Sequence, residues 1–94
     1  MIKTFDDKRT EQVYEGQTPK GFPAELVGRT RIILDRIDAA TSLEHLRTPP
    51  SHRLHLMKGD QKGRWSVSVN IQFRITFRFE DGDAYEVRFE DPHK

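Results

Sequence analysis

The stretch RWSVSVNIQFRITFRFE, residues 64–80, decides how the rest of the chain reads. Its odd positions are Trp65, Val67, Val69, Ile71, Phe73, Ile75, Phe77 and Phe79, and every even position between them is polar. Successive side chains of a strand point to opposite faces, so strict period-two alternation signals a sheet with one apolar and one wet face. The run is too long for one ordinary strand, which places a turn near Asn70-Ile71-Gln72. Asp81-Gly82 is a strong hairpin signal, and Tyr85, Val87 and Phe89 continue in the same phase as a last strand. Upstream, Leu54 and Leu56 alternate with His55 as a first short strand, and Gly59 to Gly63 supplies a loop.

The residues before this sheet read as helix. Ile2 to Phe5 is a short opening strand with imperfect alternation. Asp6 or Asp7 caps a helix running to about Glu15, and Gly16 ends it. Gly16 to Phe22 is a loop. Pro23 suits the first position of a second helix. Leu26, Val27, Thr30, Ile33, Leu34, Ile37 and Ala40 fall on one face of that helix. Thr41 or Ser42 caps a final turn through Leu43 and Leu46, and Thr48-Pro49-Pro50-Ser51 ends all helix. The expected architecture is α+β: a short N-terminal strand, two helices, then a curved antiparallel sheet of about four strands, with the helices on its apolar face. Residues 1–94 form a single domain without repeat, linker or low-complexity segment.

Composition narrows the function classes. The 94 residues include no cysteine, which excludes disulfides and thiolate metal sites. No apolar run approaches the roughly 20 residues of a membrane span, and the N-terminus lacks a signal-peptide stretch. A soluble cytoplasmic protein is therefore expected. The net charge of +1 is unevenly spread: residues 47–78 hold 7 Lys/Arg against 1 Asp/Glu, whereas residues 79–94 hold 2 against 6. A local cationic surplus attracts a polyanion. No P-loop, dinucleotide fingerprint or nucleophile triad is present, and the four histidines have no metal-binding spacing.

The expected wet face carries Arg64, Ser66, Ser68, Asn70, Gln72, Arg74, Thr76, Arg78, Glu86 and Arg88. His55 and Lys58 precede it; Asp91 and His93 follow. This set suits phosphate chemistry. RNA is cleaved when its 2′-hydroxyl attacks the adjacent phosphorus and the 5′-oxygen leaves. Imidazole and carboxylate suit the two proton transfers, and guanidinium and ammonium suit the charge on the phosphorane. Taken singly, each residue has a plainer reading: His45 on a helical turn, His52 in a polar loop, His55 and Arg74 on a strand surface, His93 in a chain end.

Taken in order, the residues carry a family pattern. Leu54 to Leu56, Lys58-Gly59-Asp60, Trp65-Ser66-Val67, Asn70-Ile71-Gln72-Phe73-Arg74 and Asp91-Pro92-His93 resemble the C-terminal half of HigB-like toxins of the RelE/ParE superfamily. The opening IKTF and the later ILDRIDAATSLEHLRTPP extend the likeness over nearly the whole chain. The resemblance implies a RelE-like fold and a type II toxin–antitoxin toxin that cuts mRNA in the ribosomal A site; because the sequence has cations but no ligand cluster, a metal-independent mechanism without cofactor is expected. The resemblance also implies a HigA-like helix-turn-helix antitoxin as partner, the ribosome and mRNA as targets, operator DNA reached only through the antitoxin, and no membrane. His55, Lys58, Arg74, Asp91 and His93 match the family's functional positions. Arg53, Lys62, Arg64, Asn70, Gln72 and Arg78 are the accompanying candidates for RNA contact. The departure is Pro92, where the family usually carries tyrosine; it bears on activity or codon preference rather than fold. A second reading, from another class, is a non-enzymatic ParE-like inhibitor of DNA gyrase on a similar fold. A third is a degenerate member that binds only its antitoxin. His55, Asp91 and His93 together favour the nuclease.

Overall fold

Asp7 accepts a hydrogen bond from the Thr10 amide at 2.8 Å and so caps helix α1, Lys8–Tyr14. The computed structural model describes residues 1–91. After the Gly16–Phe22 loop, a 3-10 turn at Ala24–Leu26 leads into α2, Val27–Ala39. Pro23 stands just before that turn rather than inside a helix. The helical periodicity read from the sequence is met, with Leu26, Val27, Thr30, Ile33, Leu34, Ile37 and Ala40 all buried. Ser42 stands at the cap of the 3-10 turn Leu43–Leu46, without a side-chain hydrogen bond.

The sheet has four strands in the order β1-β2-β3-β4, namely His55–Leu56, Trp65–Ser68, Arg74–Glu80 and Asp83–Glu90, each antiparallel to its neighbour. The turn expected near Asn70-Ile71-Gln72 lies between β2 and β3, and Ile71 at its tip is 98% exposed. Asn70 Oδ1 builds this turn by accepting from the amides of Gln72 (2.9 Å) and Phe73 (2.7 Å). Asp81 and Gly82 both have positive φ, 49° and 83°, the geometry of a type I′ hairpin turn that suits the twist of the strands it joins. Val67, Val69, Ile75, Phe77, Ala84, Val87 and Phe89 form one core with the buried face of α2, Val13 and Phe22.

Four expectations need correction. Ile2 to Phe5 is not a regular strand; it touches β4 through two parallel bridges, Ile2 to Ala84 and Phe5 to Val87. The prolines do not end all helical structure, because single 3-10 turns follow at Pro50–His52 and Gly59–Gln61. Tyr85 does not share the phase of Val87. Thr76 faces Arg88 but Arg78 faces Tyr85, so Phe77 opposes both Glu86 and Val87. This is a β-bulge, with Glu86 at φ 53°. The extra residue shifts Tyr85 to the polar side, where the Arg78 guanidinium sits 5.4 Å from its ring centroid.

The fourth correction concerns the wet face. Ser66 and Thr76 are buried and Arg64 is only 8% exposed. Long side chains lie flat over short ones there. Arg64 Nη2 donates to Thr76 Oγ1 at 3.0 Å and to the Glu86 carbonyl at 2.7 Å. Arg64 is thus an internal strut and does not face water as expected of an RNA contact. Burial and the nearby Arg88 work against its charge, and the carboxylates of Asp6, Glu90 and Glu86 oppose them.

Candidate active site on the polar sheet face

Strand register sets which polar side chains meet. His55 on β1 pairs with Ser66 on β2, which pairs with Thr76 on β3, which pairs with Arg88 on β4. The next rung on that face is Ser68, Arg74 and Glu90. Ser66 links the two rungs, for Arg74 Nη1 lies 3.5 Å from its Oγ, while His55 is its register partner across the strand pair. Arg74 Nη1 is also 3.5 Å from Met57 Sδ, a weak acceptor, and its contact to Ser66 Oγ is at the outer limit for a hydrogen bond. The buried Arg74 Nε has no partner among the described residues. This guanidinium is positioned but sparingly used by the protein itself.

His55 is exposed, and its Nδ1 lies 3.1 Å from the Arg53 carbonyl, which orients the ring. Asp91 follows β4 directly, and its Oδ2 accepts from Gln72 Nε2 at 3.1 Å. The β2–β3 turn thereby reaches the end of the last strand, two residues from Arg74. Lys58 is exposed at the start of the Gly59–Gln61 turn. His55 and Arg74 thus share the polar sheet face, Gln72 and Asp91 meet where the β2–β3 turn reaches the end of β4, and Lys58 follows β1. His93 and Pro92 lie outside the described residues.

The other candidates separate. Arg78, at the far end of β3, is ion-paired with Glu86 and with Glu80, so its charge is matched locally. Asn70 spends its side-chain oxygen on the turn. Lys62 is exposed beyond the Gly59–Gln61 turn, and Arg53 has a left-handed backbone at φ 48°. His45 is exposed as expected, its Nδ1 accepting from the Thr41 amide at 3.2 Å. His52 is buried rather than a loop surface residue. Among the described residues, no group of three or more His, Cys, Asp or Glu is placed to hold a metal ion, and no helix is long and apolar enough to cross a membrane.

A network around Glu90 is the part that sequence reasoning missed. Glu90 accepts from Gln61 Nε2 and from Arg88 Nε, both at 2.9 Å, and from the Thr76 hydroxyl. Gln61 Oε1 accepts from Arg88 Nη2 at 2.9 Å, and Arg88 Nη1 donates to Asp6 at 2.8 Å. The Gly59–Gln61 turn is clasped over the sheet by these bonds, which holds Lys58 and Lys62 to either side. Only the even phase of Glu90 hinted at this; Gln61 sits in a loop where no periodicity operates.

Burial pushes the Glu90 carboxyl up, but the hydrogen bonds from Thr76, Gln61 and Arg88 outweigh it and hold the group below the ordinary glutamate range. A depressed folded pKa gives stability that is fully present above the unfolded value, about 4.3, and lost as pH falls through the folded one. Glu90→Gln therefore lowers the melting temperature at pH 7, and the gap between parent and variant narrows as pH falls toward 3. A gap constant over that range in thermal melts contradicts the assignment.

Comparison with known proteins defines the class first. A solved YafQ variant from E. coli matches with a TM-score of 0.65 at 11% identity, covering 99% of this chain and 93% of that one. At that identity the likeness shows the fold alone, the RelE-like toxin fold. The family follows from sequence: a profile described as "RelE-like toxin of type II toxin-antitoxin system HigB" matches residues 3–93, and the chain belongs to that family. Endoribonuclease HigB of Proteus vulgaris is 41% identical over 93 residues, covering 99% of this chain and all of the relative. Toxin HigB-1 of Vibrio cholerae serotype O1 is 36% identical over 95 residues, covering 100% of this chain and 99% of the relative.

Proposed function

We propose that this HigB-family toxin is a ribosome-dependent endoribonuclease that cleaves mRNA in the A site by metal-independent transesterification. The observation that carries the reading is that His55 and Arg74 share the polar sheet face, His55 across the strand pair from Ser66 and Arg74 Nη1 3.5 Å from the Ser66 Oγ, with Asp91 held by Gln72 at the end of the neighbouring strand. The name of the Proteus relative supports ribonuclease chemistry. In the reaction the 2′-oxygen forms a bond to phosphorus as the bond to the 5′-oxygen breaks, leaving a 2′,3′-cyclic phosphate and a free 5′-hydroxyl. His55 takes the 2′ proton or contacts the phosphate. Arg74, with Lys58 assisting, balances the added charge on the phosphorane. His93 protonates the departing 5′-oxygen, tuned by Asp91. The ribosome supplies substrate alignment, a contribution that reaches about 7–11 kcal/mol in well-oriented reactions. The partner is a HigA-like antitoxin, and the site of action is the cytoplasm.

The test has two arms. Induction without antitoxin is expected to halt translation, with new mRNA 5′ ends inside reading frames. Purified toxin is expected to cut mRNA on programmed ribosomes with chelator added only to the toxin beforehand, and to leave naked RNA largely intact. Efficient chelator-sensitive cutting of free RNA contradicts the mechanism. Continued translation with accumulating DNA breaks favours a gyrase inhibitor instead.

A further inference from the structure

Between α2 and the β2–β3 turn lies a cavity of about 730 Å³ that none of His55, Lys58, Arg74 or Asp91 lines. Three arginines line it, Arg29, Arg36 and Arg53, and no described Asp or Glu does. Arg29 is fixed over the turn, its Nη1 donating to the Val69 carbonyl at 3.0 Å. The apolar part comes from Ile32, Ile33, Val69 and Ile71. Ile32 is 58% exposed and Ile71 is 98% exposed, and they are two of only four large hydrophobic residues so exposed among those described. A lone exposed isoleucine is ordinary, but two on the rims of one cationic cavity form a mixed patch that suits a partner.

His52 forms part of the wall. It is only 5% exposed, and its Nδ1 has no hydrogen-bond partner among the described residues. Burial and the nearby Arg36 lower its pKa, against a backbone hydrogen bond with Leu46, so the imidazole is neutral at pH 7. The wall therefore offers one buried polar atom, while the positive charge comes from the arginines.

The lining separates two classes of occupant. Single-stranded RNA is gripped by cations together with exposed aromatic rings on which bases stack; no Phe, Tyr or Trp lines this cavity, and the one ring in its wall, His52, is only 5% exposed. Aliphatic walls with unmatched arginines fit a protein segment that alternates aliphatic side chains with carboxylates. A type II toxin has a protein partner of its own, the antitoxin. We infer that this cleft is the docking site for an acidic, aliphatic-bearing segment of that antitoxin, an inference that rests on the toxin reading but not on the cleavage mechanism. Carboxylates of the segment pair with Arg36 and Arg53, and its aliphatic side chains cover Ile32 and Ile71.

Ile32→Glu, Ile71→Glu and Arg36→Glu test this against the purified antitoxin encoded beside the toxin gene. Ile71 is almost wholly exposed, so its variant keeps the fold even if another fails. Affinity measured by calorimetry is expected to fall roughly 10–100-fold in each variant, the range of interface hot spots. Ribosomal mRNA cleavage is expected to stay at the parent level and to resist added antitoxin. Antitoxin affinity within twofold of the parent in all three folded variants overturns the inference. Cleavage or ribosome binding lost while antitoxin affinity holds also overturns it, and makes the cleft an RNA contact. A parent that cuts no mRNA, with variants that lose the antitoxin, sinks the cleavage mechanism alone and leaves this docking site standing.

Discussion

Arg74→Ala is expected to lower ribosomal mRNA cleavage by roughly 10²–10³-fold, the usual cost of removing one donor aimed at developing negative charge. The residue sits half-buried at the start of β3, between Ser68 and Glu90 across the strand pairs. Its contact to Ser66 Oγ is long at 3.5 Å, its contact to Met57 Sδ is to a weak acceptor, and its Nε is unpartnered among the described residues. A guanidinium committed to the fold shows short bonds from each of its nitrogens, as Arg88 does. Substitution thus removes catalysis while the melting temperature moves by no more than about 5 °C, the shift for about 1 kcal/mol in a domain of this size. Arg74→Lys keeps a charge but not the planar fork and should fall between parent and alanine variant. A folded Arg74→Ala protein with full cleavage rules out the phosphorane role.

The chain end carries the second large effect. His93→Ala is expected to cut cleavage by about 10²–10⁴-fold, the range for a placed acid or base, and truncation after Asp91 should match it. Asp91 gives this expectation its structural footing, since Gln72 holds its carboxylate beside the strand that carries Arg74. Proline at 92 biases residue 91 toward an extended backbone. Pro92 offers no aromatic ring for a base to stack on, so Pro92→Tyr should keep or raise cleavage and shift its codon preference. The assay compares ribosomal mRNA cleavage by the parent, the truncation, His93→Ala and Pro92→Tyr. Full activity in the truncation refutes a catalytic chain end. An inactive parent rescued by Pro92→Tyr marks a degenerate family member.

Period-two alternation in residues 64–80, the Asp81-Gly82 turn and the helical spacing from Leu26 to Ala40 were enough to specify helices on an antiparallel sheet, because such patterns report which face meets a core. The turn at Asn70 was legible for the same reason, together with the length limit on a strand. The ordered family motifs named His55, Arg74 and Asp91 as candidates, but pattern alone could not say that His55 and Arg74 stand on neighbouring rungs of one sheet face. That follows from strand register, which pairs residues far apart in the chain. Tertiary structure also decided the bulge at Glu86, which turned Tyr85 over, since one inserted residue leaves composition unchanged and reverses a face. It decided that Arg64, Ser66 and Thr76 are buried on the polar side, because alternation assigns a face and says nothing of long side chains that fold across short ones. Gln61 and Glu90 meet for a similar reason: a loop without periodicity closes over the sheet only when both partners' hydrogen-bonding groups are satisfied there.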